Sequence, residues 1–389
     1  MFNPFDYALH EDPYPTYARM RREAPLYRHV DGGRLDFWAL SRHEDVRVAF
    51  RDPRRYSSTY GAAFETWGPK ARARMSFLSM DPPEHDRMRR LISSGFTPRR
   101  VQELEPRIQQ MTRRCVAAVI EAGEFDFVTD FAERTPVDVI SELMGVPSSD
   151  REEVLRLTNV ILQRGKEDYT LPDAAQRAHV AIMQYYGELI ADRHHRPGDD
   201  LISALIAAEI DGQRLSDDDI RAACLLLGVA GNETTTKLLA NAWFLAAVHP
   251  DQRATAFSGR IGDWIEETLR FEASTQVVLR LVTEDVDWYG QTVPAGSQLV
   301  LLPGSANRDP EVFPDPDRYD LDRDTSRMLT FGSGPHFCLG AALARLEARL
   351  VLEELVHAVQ EDYEVGQPVR MHSPNVRGYS SLPTRVKPR

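Results

Sequence analysis

A mainly α-helical fold with a few short β-strands is what this sequence predicts. Apolar residues recur at helical spacing over most of the chain, and short strand-like runs occur only near the N-terminus and in the last third. No repeat, low-complexity tract or linker divides the 389 residues, of which 42% are hydrophobic, ample for one large core. We therefore expect a single domain spanning residues 1–389.

The N-terminal part predicts short elements followed by a long loop. In order, these elements are a first helix, a hairpin and a second helix: Tyr14 to Glu23, Leu26 to Val30 paired with Phe37 to Leu40 around Asp31-Gly32-Gly33, and His43 to Phe50. Residues 52–83 are rich in Pro, Gly, Ser and aromatic side chains. This composition predicts an irregular segment, and loops of such length are often functional.

Helical patterns dominate the middle of the chain. They cover residues 84–94, 99–121, 136–144, 149–164, 173–195 and Asp199 to Glu209. The longest helix is predicted from Ser216, a candidate N-cap followed by three aspartates that suit the positive helix end, to Val248. It would span about 50 Å at 1.5 Å per residue. Its stretch ACLLLGVA is apolar on all sides, which predicts a buried helix.

A polar cluster, Gly231-Asn232-Glu233-Thr234-Thr235-Thr236, interrupts this buried helix. Polar groups in such a place cost free energy unless they are paired or used. Thr234 alone could simply donate to a helix carbonyl and bend the helix. We favour a functional role, because an acid and a hydroxyl occur side by side in an otherwise apolar element.

The segment from Phe331 to Gly340 contains Cys338 at the mouth of an amphipathic helix. A single cysteine before a helix is most often a small core residue. Here two glycines free the backbone, and helix-start amides are expected to lower the pKa of the thiol. The other two cysteines, Cys115 and Cys224, do not form a disulfide framework with it. A thiolate at this place suits a haem iron, where thiolate ligation favours O–O cleavage.

The Cys338 segment resembles the haem-binding loop of the cytochrome P-450 superfamily, F-G-x-G-x-H-x-C-x-G, at all six fixed positions. The likeness spans nearly the whole chain in the family's order. Further matching segments are Asp81 to Arg89, Ala230 to Thr234, Glu267 to Arg270 and Asn307 to Pro310. The resemblance implies the P-450 fold, a single triangular helical domain with small β-sheets.

The resemblance also implies roles for individual residues. Cys338 is expected to bind the iron, Glu233 and Thr234 to deliver protons during catalysis, and Arg323 to complete a network with Glu267 and Arg270. The expected cofactor-binding residues are His85, Arg89, Ala230, Gly231, Arg280, His336, Cys338 and Gly340. Among them, the two histidines and the two arginines are expected to hold the haem propionates, since arginine binds carboxylates through charge-assisted bonds.

The function implied is that of a haem-thiolate monooxygenase, which inserts one atom of O2 into a small to medium organic substrate. Haem b is the expected cofactor. Gly332-Ser333-Gly334 does not fit a dinucleotide fingerprint, so NAD(P)H electrons are expected to arrive through a ferredoxin and its reductase. Clustered arginines would form the docking patch: Arg87, Arg90, Arg99, Arg100, Arg345 and Arg349.

Composition excludes other classes of protein. The net charge of −12 argues against nucleic acid binding. The sequence contains no apolar stretch of about 18 residues, the length that would predict a membrane span. Its N-terminus has no secretory pattern. We expect a cytoplasmic monomer without a membrane partner. The adjacent His194 and His195 do not face one point on a helix and are expected to be solvated rather than metal-binding.

The sequence leaves open two alternatives to the monooxygenase function, and it leaves the substrate pocket undefined. A peroxide-driven thiolate-haem enzyme would not need the acid–alcohol pair, and a haem-based carrier or sensor would need neither that pair nor a reductase. The substrate itself is not readable from the sequence. Candidate pocket residues are Tyr60, Phe64, Trp67, Phe77, Leu78, Leu226, Leu227, Ala230, Val277 and Val278, with a turn near Tyr379.

Overall fold

Helices form most of the protein. A computed structural model describes residues 1–31, 35–93, 96–162, 172–210 and 212–389. Its α-helices are α1 (Tyr7–Glu11), α2 (Tyr14–Glu23), α3 (His43–Arg51), α4 (Arg72–Met75), α5 (Glu84–Ser93), α6 (Pro98–Ala122), α7 (Arg134–Met144), α8 (Arg151–Leu162), α9 (Asp173–His195), α10 (Leu201–Ala207), α11 (Asp217–Val248), α12 (Pro250–Phe257), α13 (Ile261–Phe271), α14 (Pro303–Ala306) and α15 (Ala341–Ala358). A π-helical segment, Phe127–Ala132, precedes α7.

The strands are short and fall into small sheets. They are β1 (Leu26–His29), β2 (Phe37–Leu40), β3 (Tyr56–Ser57), β4 (Glu124–Asp126), β5 (Glu209–Ile210), β6 (Gln213–Arg214), β7 (Val278–Val282), β8 (Val286–Trp288), β9 (Gln291–Val293), β10 (Gln298–Leu301), β11 (Glu364–Val365), β12 (Val369–Arg370), β13 (Tyr379–Ser381) and β14 (Pro383–Arg385). The largest sheet has the order β1-β2-β10-β7-β3, in which only β10 and β2 run parallel. A second sheet has the order β11-β14-β4.

The predicted mainly helical fold is confirmed, and most predicted helices lie within a few residues of their observed bounds. Three expectations need correction. The first helix is α1 rather than α2, the segment 52–83 contains β3, α4 and two short 3-10 turns, and the π-helical segment before α7 was not predicted. Positions 32–33, 94 and 163–164 of the predicted elements lie outside the described residues.

The long helix α11 begins as the sequence predicts and joins two cores. Ser216 Oγ accepts from the Asp219 amide at 3.1 Å, and the Asp219 carboxylate accepts from the Ser216 amide. The N-terminal half of α11 packs into one apolar cluster through Cys224 and its neighbours. The C-terminal half packs into another through Trp243. The polar cluster therefore lies at the junction between two cores, where apolar packing is interrupted.

A buried ionic network joins α13 to the chain that leads to Cys338. Arg270 donates to both carboxylate oxygens of Glu267 at 2.7 and 2.8 Å, and Arg323 donates to the same carboxylate at 3.4 Å. Arg270 also donates to the carbonyls of Asn307 and Pro316, each at 2.9 Å. The predicted participation of Arg323 is confirmed. The network fixes the backbone path upstream of the cysteine loop.

Candidate functional site

The cysteine loop is a tight turn laid against α3. Gly332 and Gly334 have φ values of +70° and +73°, which favour glycine. A Cβ on Gly334 would lie 2.8 Å from the Phe50 carbonyl oxygen, so the close approach to α3 also demands glycine. The Cys338 amide closes the loop by donating to the Phe331 carbonyl at 2.9 Å. The loop therefore delivers Cys338 to the start of α15 with a fixed backbone.

Cys338 is an exposed residue, yet the protein around its thiol desolvates the sulfur. Burial raises its pKa, although the amides of Gly340 and Ala341 and the charges of Arg89 and Arg345 act in the opposite direction. The helix-start amides therefore lower the thiol pKa as the sequence predicts, but desolvation outweighs them and the pKa is raised overall. A metal cation deprotonates a coordinating thiol outright, so a metal bound at Cys338 would produce the thiolate that the loop by itself does not favour.

Four basic side chains from three parts of the chain meet beside this loop. The rings of His85 and His336 lie 4.1 Å apart, centroid to centroid. Arg280 on β7 is buried and donates to the adjacent Leu279 carbonyl at 2.7 Å. Arg89 on α5 donates to the Phe337 carbonyl at 2.6 Å. The structure thus brings together α5, β7 and the cysteine loop.

This basic cluster is only partly satisfied by the chain, although Asp86 lies 2.9 Å from His85 Nδ1 and Asp81 acts on Arg280. His85 is fully buried, and its Nε2 has no partner among the described residues, nor has the buried Nδ1 of His336. Burial lowers the pKa of Arg280 to about 10 and that of His336 to about 2, where the positive neighbours Arg280, His85 and Arg89 contribute further. An anion with several acceptor oxygens would satisfy these groups.

These observations fit the haem that the resemblance implies. Haem presents an iron to a sulfur ligand and two carboxylates to basic donors, and the site offers an accessible thiol next to unsatisfied donors. Gly340, the residue before α15, has nothing within 4 Å of a Cβ built on it, so the loop leaves open space there. The residues present are thus suited to the group in both charge and donor chemistry.

The polar cluster of α11 presents an accessible strip. Ala230 is exposed, and Gly231, Glu233 and Thr234 are half-buried, although the helix on either side is buried. Thr234 Oγ1 donates to the Ala230 carbonyl at 2.7 Å, the bond to the helix backbone that the structural alternative predicts. The hydroxyl oxygen can still accept a bond from another group. A small side chain and a hydroxyl therefore face the same open side of the helix.

The candidate pocket residues divide into packed and accessible groups. Phe64 lies 5.3 and 5.9 Å from the rings of Phe5 and Phe37, and it packs with Val277 in an N-terminal core. Phe77, Leu226 and Leu227 are buried in the core that contains the first half of α11. Core packing accounts for these apolar residues without a substrate. Tyr60, Leu78 and Ala230 remain accessible in whole or in part.

Sequence reasoning missed three polar residues around the site. Ser58 bonds to His336 Nε2 at 3.1 Å, and Asp81 accepts from the Ser58 amide at 2.8 Å, so the irregular segment supports the basic cluster. Lys237 is buried on α11, one turn after Glu233. The sequence did contain a signal for this residue, since a lysine stands within the apolar stretch that follows the polar cluster.

Other features of the described chain do not add a metal or membrane site. His194 Nε2 lies 2.9 Å from Asp217 Oδ1 in an exposed pair. Among the described residues, no group of three or more His, Cys, Asp or Glu side chains could hold a metal ion. Within the same residues, no helix has the length and apolar character needed to cross a bilayer.

Comparison with known proteins gives extensive matches. Residues 1–256 and 263–385 match the cytochrome P-450 family model. The chain is 48% identical to cytochrome P-450 123 of Mycobacterium tuberculosis, covering 100% of this chain and 98% of that protein. It is 37% identical to vitamin D(3) 25-hydroxylase of Pseudonocardia autotrophica, over 97% and 95% of the two chains. The solved structure of CYP109Q5 from Chondromyces apiculatus superimposes with a TM-score of 0.90 at 32% identity, covering 100% of this chain and 98% of that one.

Proposed function

The chain belongs to the cytochrome P-450 family of monooxygenases, and from this premise we propose that it inserts one oxygen atom of O2 into a small to medium organic substrate. The observation that carries the proposal is the accessible Cys338 thiol beside buried donors of His85 and His336 that have no partner among the described residues. Together they provide a sulfur ligand and a carboxylate-binding cluster for one haem.

Each residue has a distinct task in this proposal. Cys338 would be the axial ligand, while His85, Arg89, Arg280 and His336 would hold the propionates. Bound haem supplies the activation of O2 and the oxidation of the substrate, because such chemistry belongs to the cofactor. The protein contributes position, protons and the exclusion of water.

The open strip of α11 would serve the oxygen side of the reaction. Ala230 and Gly231 leave room beside the Thr234 hydroxyl, which can both donate and accept. Glu233 is the preceding residue and points in another direction from the helix, so it suits the relay of protons from water to the Thr234 hydroxyl. A positioned group of this kind contributes typically about 10²–10⁴-fold to a proton transfer.

The substrate is proposed to be mostly apolar. The accessible candidates are the aromatic Tyr60 and the apolar Leu78 and Ala230, which is typical of small-molecule sites. Relatives include an enzyme named vitamin D(3) 25-hydroxylase, and a solved relative from Bacillus megaterium binds testosterone. These names support an apolar molecule of medium size as the first class to screen by haem spectral shifts.

An acidic ferredoxin is the proposed electron donor, and the ion pairs of the candidate arginines bear on where it would dock. Arg345 makes a two-bond pair with Glu266 at 2.6 and 2.9 Å, and Arg349 is paired with Glu105. Their charges are largely compensated. Within the described residues Arg87 and Arg90 form no ion pair, so they would contribute more to steering an acidic partner.

Salt and charge reversal test this docking. Reduction of the haem by an acidic ferredoxin should slow as ionic strength rises, because charge steering is screened. Arg87→Glu with Arg90→Glu should slow it further at low salt, and Arg345→Glu with Arg349→Glu should have the smaller effect. Stopped-flow reduction rates that do not depend on salt, or that are unchanged in the first double variant, would exclude this docking face.

Turnover with a ferredoxin system tests the function itself. The wild type should form hydroxylated product, and Thr234→Ala should consume reduced nicotinamide while releasing hydrogen peroxide. Cys338→His should retain haem but lose the red-shifted absorption of the reduced carbon-monoxide complex. Full coupling in Thr234→Ala would favour the peroxide-driven alternative, and ligand binding without turnover would favour a carrier or sensor.

A further inference from the structure

The buried lysine Lys237 lies next to the proposed proton relay and belongs to none of the segments that match the family's motifs. It follows Glu233 by four residues on α11, so the two side chains share one helix face. Lys237 is only 5% exposed. Buried lysines are uncommon, because an ammonium loses hydration there, and they need nearby negative charge or a function.

The ammonium of Lys237 is anchored by a main-chain carbonyl. Its Nζ donates to the Tyr379 carbonyl oxygen at 2.8 Å. A Cβ on Gly378 would lie 2.7–2.8 Å from three carbons of the lysine stem, so the stem lies directly on the backbone of residue 378. The C-terminal strand β13 therefore sets where the positive charge sits, and Gly378 is needed for that position.

Three carboxylates surround this charge. Glu233 faces it from α11, Glu133 from the end of the π-helical segment, and Asp126 from β4. Asp126 is already occupied by the amides of Val128 and Leu382. Glu133 is half-buried and receives one bond, from Asn159 at 3.0 Å. The Lys237 charge therefore interacts more strongly with Glu233 and Glu133 than with Asp126.

Burial and these carboxylates have opposite effects on Lys237. Burial lowers the pKa of the ammonium, and Glu233, Glu133 and Asp126 raise it in that order of importance. Burial also raises the pKa of Glu133, against which Lys237 acts. The charges of the three elements are therefore coupled through one lysine.

We propose that Lys237 is a positioning residue for oxygen activation, whose fixed ammonium keeps Glu233 ionised and ready to take up a proton from water. The proposal rests on the relay role of Glu233 in the proposed function. A neutral Glu233 could not accept a proton, so the lysine would set the pH range in which the relay works. Glu133 weakens this effect by competing for the same ammonium.

Lys237→Met tests the proposal, because methionine keeps an unbranched apolar stem and removes the charge. An opposite charge within about 4–6 Å lowers a carboxyl pKa by at least about one unit, so the variant should raise the pKa of Glu233 by about that amount. The readout is the infrared band of protonated carboxyl groups against pH in the haem-loaded protein. The additional band should vanish when Glu233→Gln is combined with Lys237→Met.

Two further variants separate a charge effect from a structural one. Lys237→Arg keeps the charge and should restore the wild-type titration. Glu133→Gln leaves the lysine intact and should shift the pKa of Glu233 downward, opposite to Lys237→Met. The pH at which turnover changes should move in the same direction as the carboxyl band in each variant.

The outcomes are distinguishable. If Lys237→Met lowers the melting temperature but leaves the carboxyl band and the pH profile in place, Lys237 only ties α11 to β13 and the proposal is overturned. An unshifted band in Glu133→Gln would also count against it. Wild-type turnover and coupling in Glu233→Gln would instead overturn the relay role itself, whatever the titration shows.

Discussion

Two buried polar regions of this protein differ in how completely their groups are satisfied. In the network around Glu267, the carboxylate accepts from Arg270, Arg323 and the Asp320 amide, and Arg270 also reaches backbone carbonyls. In the cluster of His85, Arg280 and His336, a buried nitrogen of each histidine lacks a partner among the described residues, and Arg280 lies close enough to act on His336. The donors of the first region are matched by acceptors within the chain, and those of the second are not all matched within the described residues.

This difference separates structure from binding. A buried ion pair that satisfies all its members stabilises a particular backbone arrangement, and loss of one member leaves a buried charge alone. A buried cluster of donors without acceptors costs free energy in the chain alone and gains it when an anion arrives. The first region should therefore respond to mutation regardless of haem, and the second should respond through haem.

The largest effect is expected for Glu267→Gln. The change leaves Arg270 and Arg323 without their buried counter-charge, which should lower the free energy of unfolding by about 3–5 kcal/mol. Urea unfolding followed by far-UV circular dichroism measures it, and added haem should not restore the loss. Glu266→Gln is the matched control, because its half-exposed pair with Arg345 is worth about 0–1 kcal/mol. Equal losses in the two variants would contradict the assignment of a structural role to the network.

An intermediate effect is expected for Arg280→Met. Losing a hydrogen bond from a charged group costs about 1.5–3 kcal/mol, so haem should transfer to excess apomyoglobin about 10–150-fold faster. The loss of stability relative to wild type should appear and grow as free haem is added, because a ligand stabilises the state that it binds and the variant binds haem more weakly. Arg308→Met removes another buried arginine, one that is bonded to Asp317 and the Phe271 carbonyl. It should destabilise the chain without comparable acceleration of haem loss.

The smallest effect is the pH dependence that His85 confers. Burial lowers the pKa of His85 below its usual 6.5, so the unfolded chain binds a proton that the folded chain does not. Stability should therefore fall as the pH drops below about 6.5, by at most about 1.4 kcal/mol per pH unit. His85→Phe should make urea unfolding less dependent on pH between about pH 7 and about pH 5.5 when no haem is added. An unchanged slope would show that His85 is not held neutral by the fold.

Local chemistry was predictable from particular residues. The N-cap Ser216 and the apolar period of α11 predicted a long buried helix, since capping and periodicity depend on neighbours within a few positions. The glycines around Cys338 likewise indicated a tight turn before a helix. The resemblance to the cytochrome P-450 family added the grouping of His85, Arg280 and His336, whose spacing in the sequence gives no hint of contact.

What the tertiary structure decided concerns charges and partners at long range. The sequence by itself determined which residues carry sulfur, acid, hydroxyl and basic chemistry, and on which elements they lie. Packing decided that desolvation of the Cys338 thiol outweighs the helix-start amides, that Glu266 compensates Arg345, and that Lys237 is buried on the backbone of Gly378. Electrostatic free energies depend on burial and on distances between segments far apart in the chain, and neither is encoded in local periodicity.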